Sequence, residues 1–199
     1  MSLKIVTIDL EGDGLSRDLN KKLFPEGGHY DPETRLWCIT FTDDKGTDTY
    51  VCKLPPEPRK GRKAYHEVTT KVPKEINGHK VTEVTDYWSF LNTIYLLLKL
   101  YKIGGYKVCF KGYGKYDYDK DMLEIVFKKF NIDTDVLDCL INVHTATVGR
   151  WKETPKQIYT GKRIPNQEYL INGLTHNIED SMQLYEVIND RNTSRYNGN

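Results

Sequence analysis

The stretch "VTIDLEGDG", Val6 to Gly14, constrains the fold more than any other part of the chain. Side chains alternate along a strand, so Val6 and Ile8 face one way while Thr7, Asp9 and Glu11 face the other. The run predicts a strand over residues 4–10, ended by "GDG". Two carboxylates side by side at a strand end repel each other unless positive charge lies between them. A hard divalent cation supplies that charge, and so does a nearby Lys or Arg. Which of the two applies depends on how many further carboxylates the chain brings to the same place.

The remaining pattern predicts one α/β domain, a mixed central sheet flanked by helices, over residues 1–190. "RLWCITFTD" and "DTYVCKL" are strands joined through "DKG", which makes the first three strands an antiparallel meander. Residues near 55–86, rich in Pro, Lys, Arg and Glu, form a polar insertion outside the core, with a small basic cluster at Arg59 to Lys63. "DYWSFLNTIYLLLKLY" suits a helix packed on a sheet. "YKVCFKGYG" is a fourth strand, expected parallel to the first. "DKDMLEIVFKKFNI" is an amphipathic helix with Met122, Leu123, Val126, Phe127 and Phe130 on one face. A short segment, "DVLDCLINVH", precedes an irregular basic region; the last helix is expected from near His176 to about Ile188, and residues 191–199 as a flexible tail.

Bulk properties exclude several classes. The net charge of +1 rules out a wholesale polycation, so nucleic-acid binding would need a local patch. No apolar run is long enough to span a bilayer, and "MSLKIVTIDL" lacks a secretory leader, so no membrane association is expected. Cys38, Cys52, Cys109 and Cys139 lie far apart, mostly within apolar runs, which predicts buried thiols and a cytoplasmic location. No "GxxxxGK" phosphate loop is present, which argues against an ATPase or kinase.

Further carboxylates do occur. His176 and Asp180 are four apart, one helical turn, and share a face. Asp117, Asp119 and Asp121 surround a helix start, where unpaired backbone N–H groups favour acids and where capping alone would account for any one of them. A strand-end pair, a helix-start Asp and an Asp one turn after a His are together the ingredients of a two-metal site. "GRWKETPKQIYTGKR" adds Arg150, Trp151, Lys152, Lys156, Tyr159, Lys162 and Arg163, a mixture suited to phosphate contacts and base stacking, or to a solvated loop.

These motifs, in this order, support a resemblance. "IDLEGDGL" resembles the first motif of the DnaQ-like, or DEDD, 3′–5′ exonucleases, where Asp-x-Glu ends the first strand of a ribonuclease H-like sheet. "CFKGYGKYDYDKDMLEIVF" is similar to their second motif, in the style of phage polymerase proofreading domains, and "HNIEDSMQLYEVI" to their third. The resemblance implies metal-dependent removal of nucleoside monophosphates from a free 3′ end of single-stranded nucleic acid. It implies two Mg²⁺ or Mn²⁺ ions on Asp9, Glu11, Asp180 and one of Asp117 and Asp119, with His176 as general base. Distance from Phe110 favours Asp117; helix register, with Leu123 and Phe127 one and two turns on, favours Asp119. Leu10, Gly12 and Leu15 would form the floor and wedge for the terminal nucleotide. The chain differs from the family pattern in its four-residue His-to-Asp spacing and in "KGYGK", which lacks the usual Asn. A weakly active nucleic-acid-binding relative, an RNA-specific exoribonuclease and another two-metal phosphohydrolase are the competing outcomes.

Overall fold

Alternation in the first strand carries directly into the three-dimensional structure, a computed structural model that describes residues 4–13, 35–52, 71–112, 118–144 and 166–196. Strand β1, Ile5–Asp13, sends Val6, Ile8 and Leu10 into one core and turns Thr7 and Asp9 to the opposite face. It runs three residues beyond the expected Leu10 and crosses Gly12, with a register shift between Glu11 and Gly12 against its neighbour. Such a bulge re-aims side chains at a strand end.

β1 pairs antiparallel with β2, Arg35–Asp43, and β2 antiparallel with β3, Gly46–Val51. On the other side, β1 pairs parallel with β6, Lys107–Gly112, and β6 parallel with β7, Leu140–His144. The antiparallel meander and the strand parallel to β1 both match expectation. The "DVLDCLINVH" segment divides into a short 3₁₀ turn, Asp135–Cys139, and the edge strand β7.

One part of the insertion belongs to the sheet. β4, Glu75–Ile76, and β5, His79–Glu83, form a hairpin, and β5 lies parallel to β3. Asn77 and Gly78 at the tip have φ of 51° and 85°, the left-handed pair that a two-residue turn matching strand twist requires. Among the described residues the sheet therefore has seven strands, in the order β4-β5-β3-β2-β1-β6-β7. The apolar anchors of the hairpin are few because it lies at the edge: Ile76 and Val81 face the smaller core.

Helices cover both faces. α1, Tyr87–Ile103, is capped by Asp86, whose carboxylate accepts from the Ser89 N–H at 2.8 Å, and it buries Phe90, Leu91, Ile94 and Leu98. α2, Tyr118–Lys129, buries Met122, Leu123, Val126 and Phe127, the expected stripe, on the same side as Val6, Ile8 and Phe110. The opposite face is covered by α3, Asn166–Tyr196.

α3 begins ten residues before the expected start at His176 and continues past Ile188 through 196. Its interior Gly173 hides the pattern locally. A Cβ there would lie 2.6 Å from Trp37 Cη2, so a tertiary contact, not a break, explains the glycine. Leu170, Leu174 and Ile178 pack with Trp37 and Val51 as the second core. Cys38, Cys52 and Cys109 are buried, and none of the four cysteines is in a disulfide. Among the described residues no helix is long and apolar enough to cross a membrane.

Candidate active site

The seam between α3 and the sheet is polar. Five buried threonines lie on the strands that α3 crosses: Thr7 on β1, Thr40 and Thr42 on β2, Thr47 and Thr49 on β3. Buried hydroxyls need partners, and here they find one another and α3. Thr7 Oγ1 donates to the Ser181 carbonyl at 2.7 Å, and Ser181 Oγ donates to the Thr7 carbonyl at 3.2 Å. Thr42 Oγ1 lies 3.0 Å from Ser181 Oγ and 3.1 Å from Thr47 Oγ1. These bonds fix both the rotation and the axial register of the helix. They thereby decide where the two side chains one turn apart, His176 and Asp180, come to rest.

Asn177 completes the seam. Its Nδ2 donates to Asp9 Oδ2 at 2.6 Å, while its Oδ1 accepts from Thr40 Oγ1 at 2.5 Å and from Cys38 Sγ at 3.3 Å. One amide thus serves a carboxyl group on β1 together with a hydroxyl and a thiol on β2.

Around that seam the acids gather. Asp9 comes from the middle of β1, not from its end as the sequence predicts, and Glu11 from beside its bulge; Asp119 comes from the first turn of α2 and Asp180 from the middle of α3. Asp119 is 5 % exposed and Asp180 3 %. Burial first, then the charges of Asp119, Asp180 and Glu11, hold the Asp9 carboxyl well above the usual carboxylate range, and Lys111 pulls it back down. His176 Nε2 lies 3.7 Å from Asp180 Oδ2 and 3.9 Å from Glu11 Oε1, so the imidazole faces both acids. His176 sits well inside α3, not at its N-terminus as the sequence leads one to expect.

Lys111, which the sequence reading passed over, belongs to the same cluster. It projects from β6, is 8 % exposed, and its Nζ lies 2.9 Å from Asp180 Oδ2. A lysine between "VCF" and "GYG" looks like the solvated end of a strand; only a partner 69 residues away reveals its role. Asn177 is likewise invisible locally, although alternating Thr on β2 and β3 is a sequence signal that something polar must cover them.

No model of a known protein family matches this chain, and no curated protein does.

The donor set is all hard oxygen plus one imidazole, the set that suits Mg²⁺ or Mn²⁺. Among the described residues no group of three such side chains closes on one point as an ion cage. Mg²⁺ does not demand one: it keeps several waters and is commonly held by one or two carboxylates together with substrate phosphates. The residues fit a hydrated divalent ion in kind and in charge.

The expected substrate contacts divide differently. Leu10 is 4 % exposed and packs in the larger core, on the face of β1 opposite Asp9, so it offers no floor to a nucleotide in this arrangement. Gly12 lies at the bulge beside Glu11. Leu15, Asp117, Arg150, Trp151, Lys152, Lys162 and Arg163 lie outside the described residues.

Proposed function

We propose that this chain is a divalent-metal-dependent 3′–5′ exonuclease of the DnaQ-like type, on a ribonuclease H-like sheet, acting on single-stranded nucleic acid with DNA slightly preferred. The observation that carries the proposal is the convergence of Asp9, Glu11, Asp119, Asp180 and His176 from three separate elements. The first strand, a helix start and the middle of a second helix supply the same residue types that the three sequence motifs supply. Support for the sheet type comes from the order β3-β2-β1-β6-β7, with β2 antiparallel to β1 and β6 parallel to it.

Asp9, Glu11, Asp119 and Asp180 would hold the metal. Bound there, it would polarise the scissile phosphate and acidify an attacking water. His176 Nε2, flanked by Glu11 and Asp180, would take that water's proton. Asn177 would orient Asp9 through its amide, and Thr40 would orient Asn177. The products would be nucleoside 5′-monophosphates.

The test is digestion of 5′-labelled single-stranded DNA and RNA oligomers with Mg²⁺ or Mn²⁺. A ladder that shortens from the 3′ end, lost in Asp9→Asn, is expected. A single internal cut, or loss of circular substrates, would make the protein an endonuclease. Retardation of the oligomer without cleavage would leave a binding protein instead.

A further inference from the structure

α1 is apolar on two faces, and the body of the protein covers only one of them. Phe90, Leu91, Ile94 and Leu98 are buried in the larger core. Trp88, Leu96, Leu100 and Ile103 point away from it and are between 56 % and 75 % exposed. Successive helical residues turn by about 100°, so these four and Asn92 share one stripe, about 120° wide, opposite the buried set. A helix apolar all round is ordinarily covered all round. The exposed parts of the four side chains sum to roughly 500 Å², near the upper end of the largest patch a typical monomer carries.

Charge says what kind of partner fits. The charged residues of α1 itself are Lys99 and Lys102, both in its last two turns. Lys4 and Lys107 lie at the same end, Lys4 Nζ donating to the Gly104 carbonyl at 3.3 Å. Asp133 and Asp135 offset that positive charge in part. At the other end, Glu83 closes β5 and Asp86 caps the helix. The face is therefore acidic at one end, apolar along its length and basic at the other. Two such faces complement each other when laid antiparallel, whereas a parallel pairing sets lysines against lysines. A net charge of +1 adds little repulsion between copies.

We propose that the outer face of α1 is a two-fold, antiparallel interface between two copies of this chain. Leu96 lies nearest the axis, and Trp88 of one copy meets Leu100 and Ile103 of the other. A standard interface covers about 800 Å² per partner, about 65 % of it apolar in homodimers, and the stripe supplies an apolar share of that size. α1 packs on the sheet face opposite α3, so the pairing leaves α3 and the acids beside it clear. The interface therefore stands or falls independently of the exonuclease reading.

The experiment is sedimentation velocity on the full chain across a micromolar concentration series. The wild type should sediment as a dimer that dissociates on dilution. Leu96→Glu and Leu100→Glu should sediment as monomers with unchanged circular dichroism, because both side chains face outward. Orientation is read by oxidative cross-linking in a Cys139→Ser background, since the other three cysteines are buried. Trp88→Cys mixed with Ile103→Cys should give a linked pair, and Trp88→Cys alone should not. A wild type that stays monomeric at the highest concentration would overturn the proposal. So would a dimer that survives both glutamate substitutions, because another surface would then hold it. Trp88→Cys that links to itself and not to Ile103→Cys would overturn the antiparallel arrangement. Assembly beyond two copies would also overturn it, since a two-fold contact closes on itself. Should a glutamate variant not fold, the wild-type mass and the cross-links decide.

Discussion

Asn177 donates to Asp9 across 2.6 Å, so α3 and β1 meet through an amide–carboxylate hydrogen bond rather than an ion pair. The distinction matters because Asp9 already stands among three other acids. A second carboxylate at that point would add repulsion, whereas the amide satisfies Asp9 and Thr40 together. Asn177→Ala should therefore destabilise the fold by about 1–3 kcal/mol, the range for leaving a buried partner unsatisfied. Asn177→Asp should lose more at neutral pH. Urea midpoints of the three proteins at pH 7 check the order, and an Asn177→Asp as stable as the wild type would contradict the role assigned to the amide.

Gly173 offers a test in the opposite direction from helix propensity. Replacing an interior helical Gly by Ala ordinarily stabilises by about 1 kcal/mol. Here the added methyl would sit 2.6 Å from Cη2 and 3.0 Å from Cζ2 of a buried Trp37. Overpacking of a tight core costs about 1–3 kcal/mol, so Gly173→Ala should lower stability on balance. The loss should shrink in a Trp37→Phe background, since the two sites are coupled. Thermal denaturation of the four proteins measures this. A higher melting temperature for Gly173→Ala would show that Trp37 gives way freely.

The same glycine explains why part of the fold was not legible. Asn172–Gly173 looks like a helix end when seen locally, and the reason for the glycine is a tryptophan 136 positions earlier on β2. Lys111 and Asn177 were missed for a similar reason, because their partners are far away in sequence. The hairpin of β4 and β5 is different: "EINGHKV" carried a turn signal at Asn77–Gly78, but a polar, proline-rich neighbourhood obscured two short edge strands. What could be read was whatever depends on period alone. Val6, Ile8, Thr7 and Asp9 separate by alternation, and Met122, Leu123, Val126 and Phe127 by helical spacing. The placing of Leu10 at the site failed on that very rule, since it shares the parity of Ile8.

Alkaline stability provides a readout independent of the site. Burial pushes the Cys52 thiol up to about 11, with Asp86 and Glu83 adding to it, and burial pushes Cys109 to about 11 against the opposing charge of Lys107. For an acid whose folded value exceeds its unfolded value of 9.0, the folded state holds more protons between the two values. The contribution is fully present below the unfolded value and is lost as pH rises toward about 11. The wild type should therefore lose stability more steeply between roughly pH 8.5 and 11 than a Cys52→Ala/Cys109→Ala variant, whatever their difference at pH 7. Denaturant midpoints across that range compare the slopes, and parallel curves would rule out these thiols as the source.

Asp119 is the acid whose role is most open to decision by a single substitution. It stands in the first turn of α2, where a carboxylate gains about 0.3–1 kcal/mol from the helix dipole, so a purely structural role predicts that Asp119→Asn loses stability and keeps turnover. Its burial at 5 % exposure and its charge on Asp9, the largest contribution there after burial, argue for the site. On that account Asp119→Asn relieves repulsion in the metal-free protein and leaves stability equal or higher. Turnover of a 5′-labelled oligomer should fall by on the order of 100-fold or more, the scale of removing a group that acts on transition-state charge. Asp117→Asn should keep most of the activity, because the helix register places Asp119, not its neighbour two residues before, level with the buried Leu123 and Phe127. The two variants assayed side by side for turnover and melting temperature separate the alternatives. If Asp117→Asn is inactive and Asp119→Asn active but less stable, spacing from Phe110 sets the second motif and Asp119 serves the helix alone.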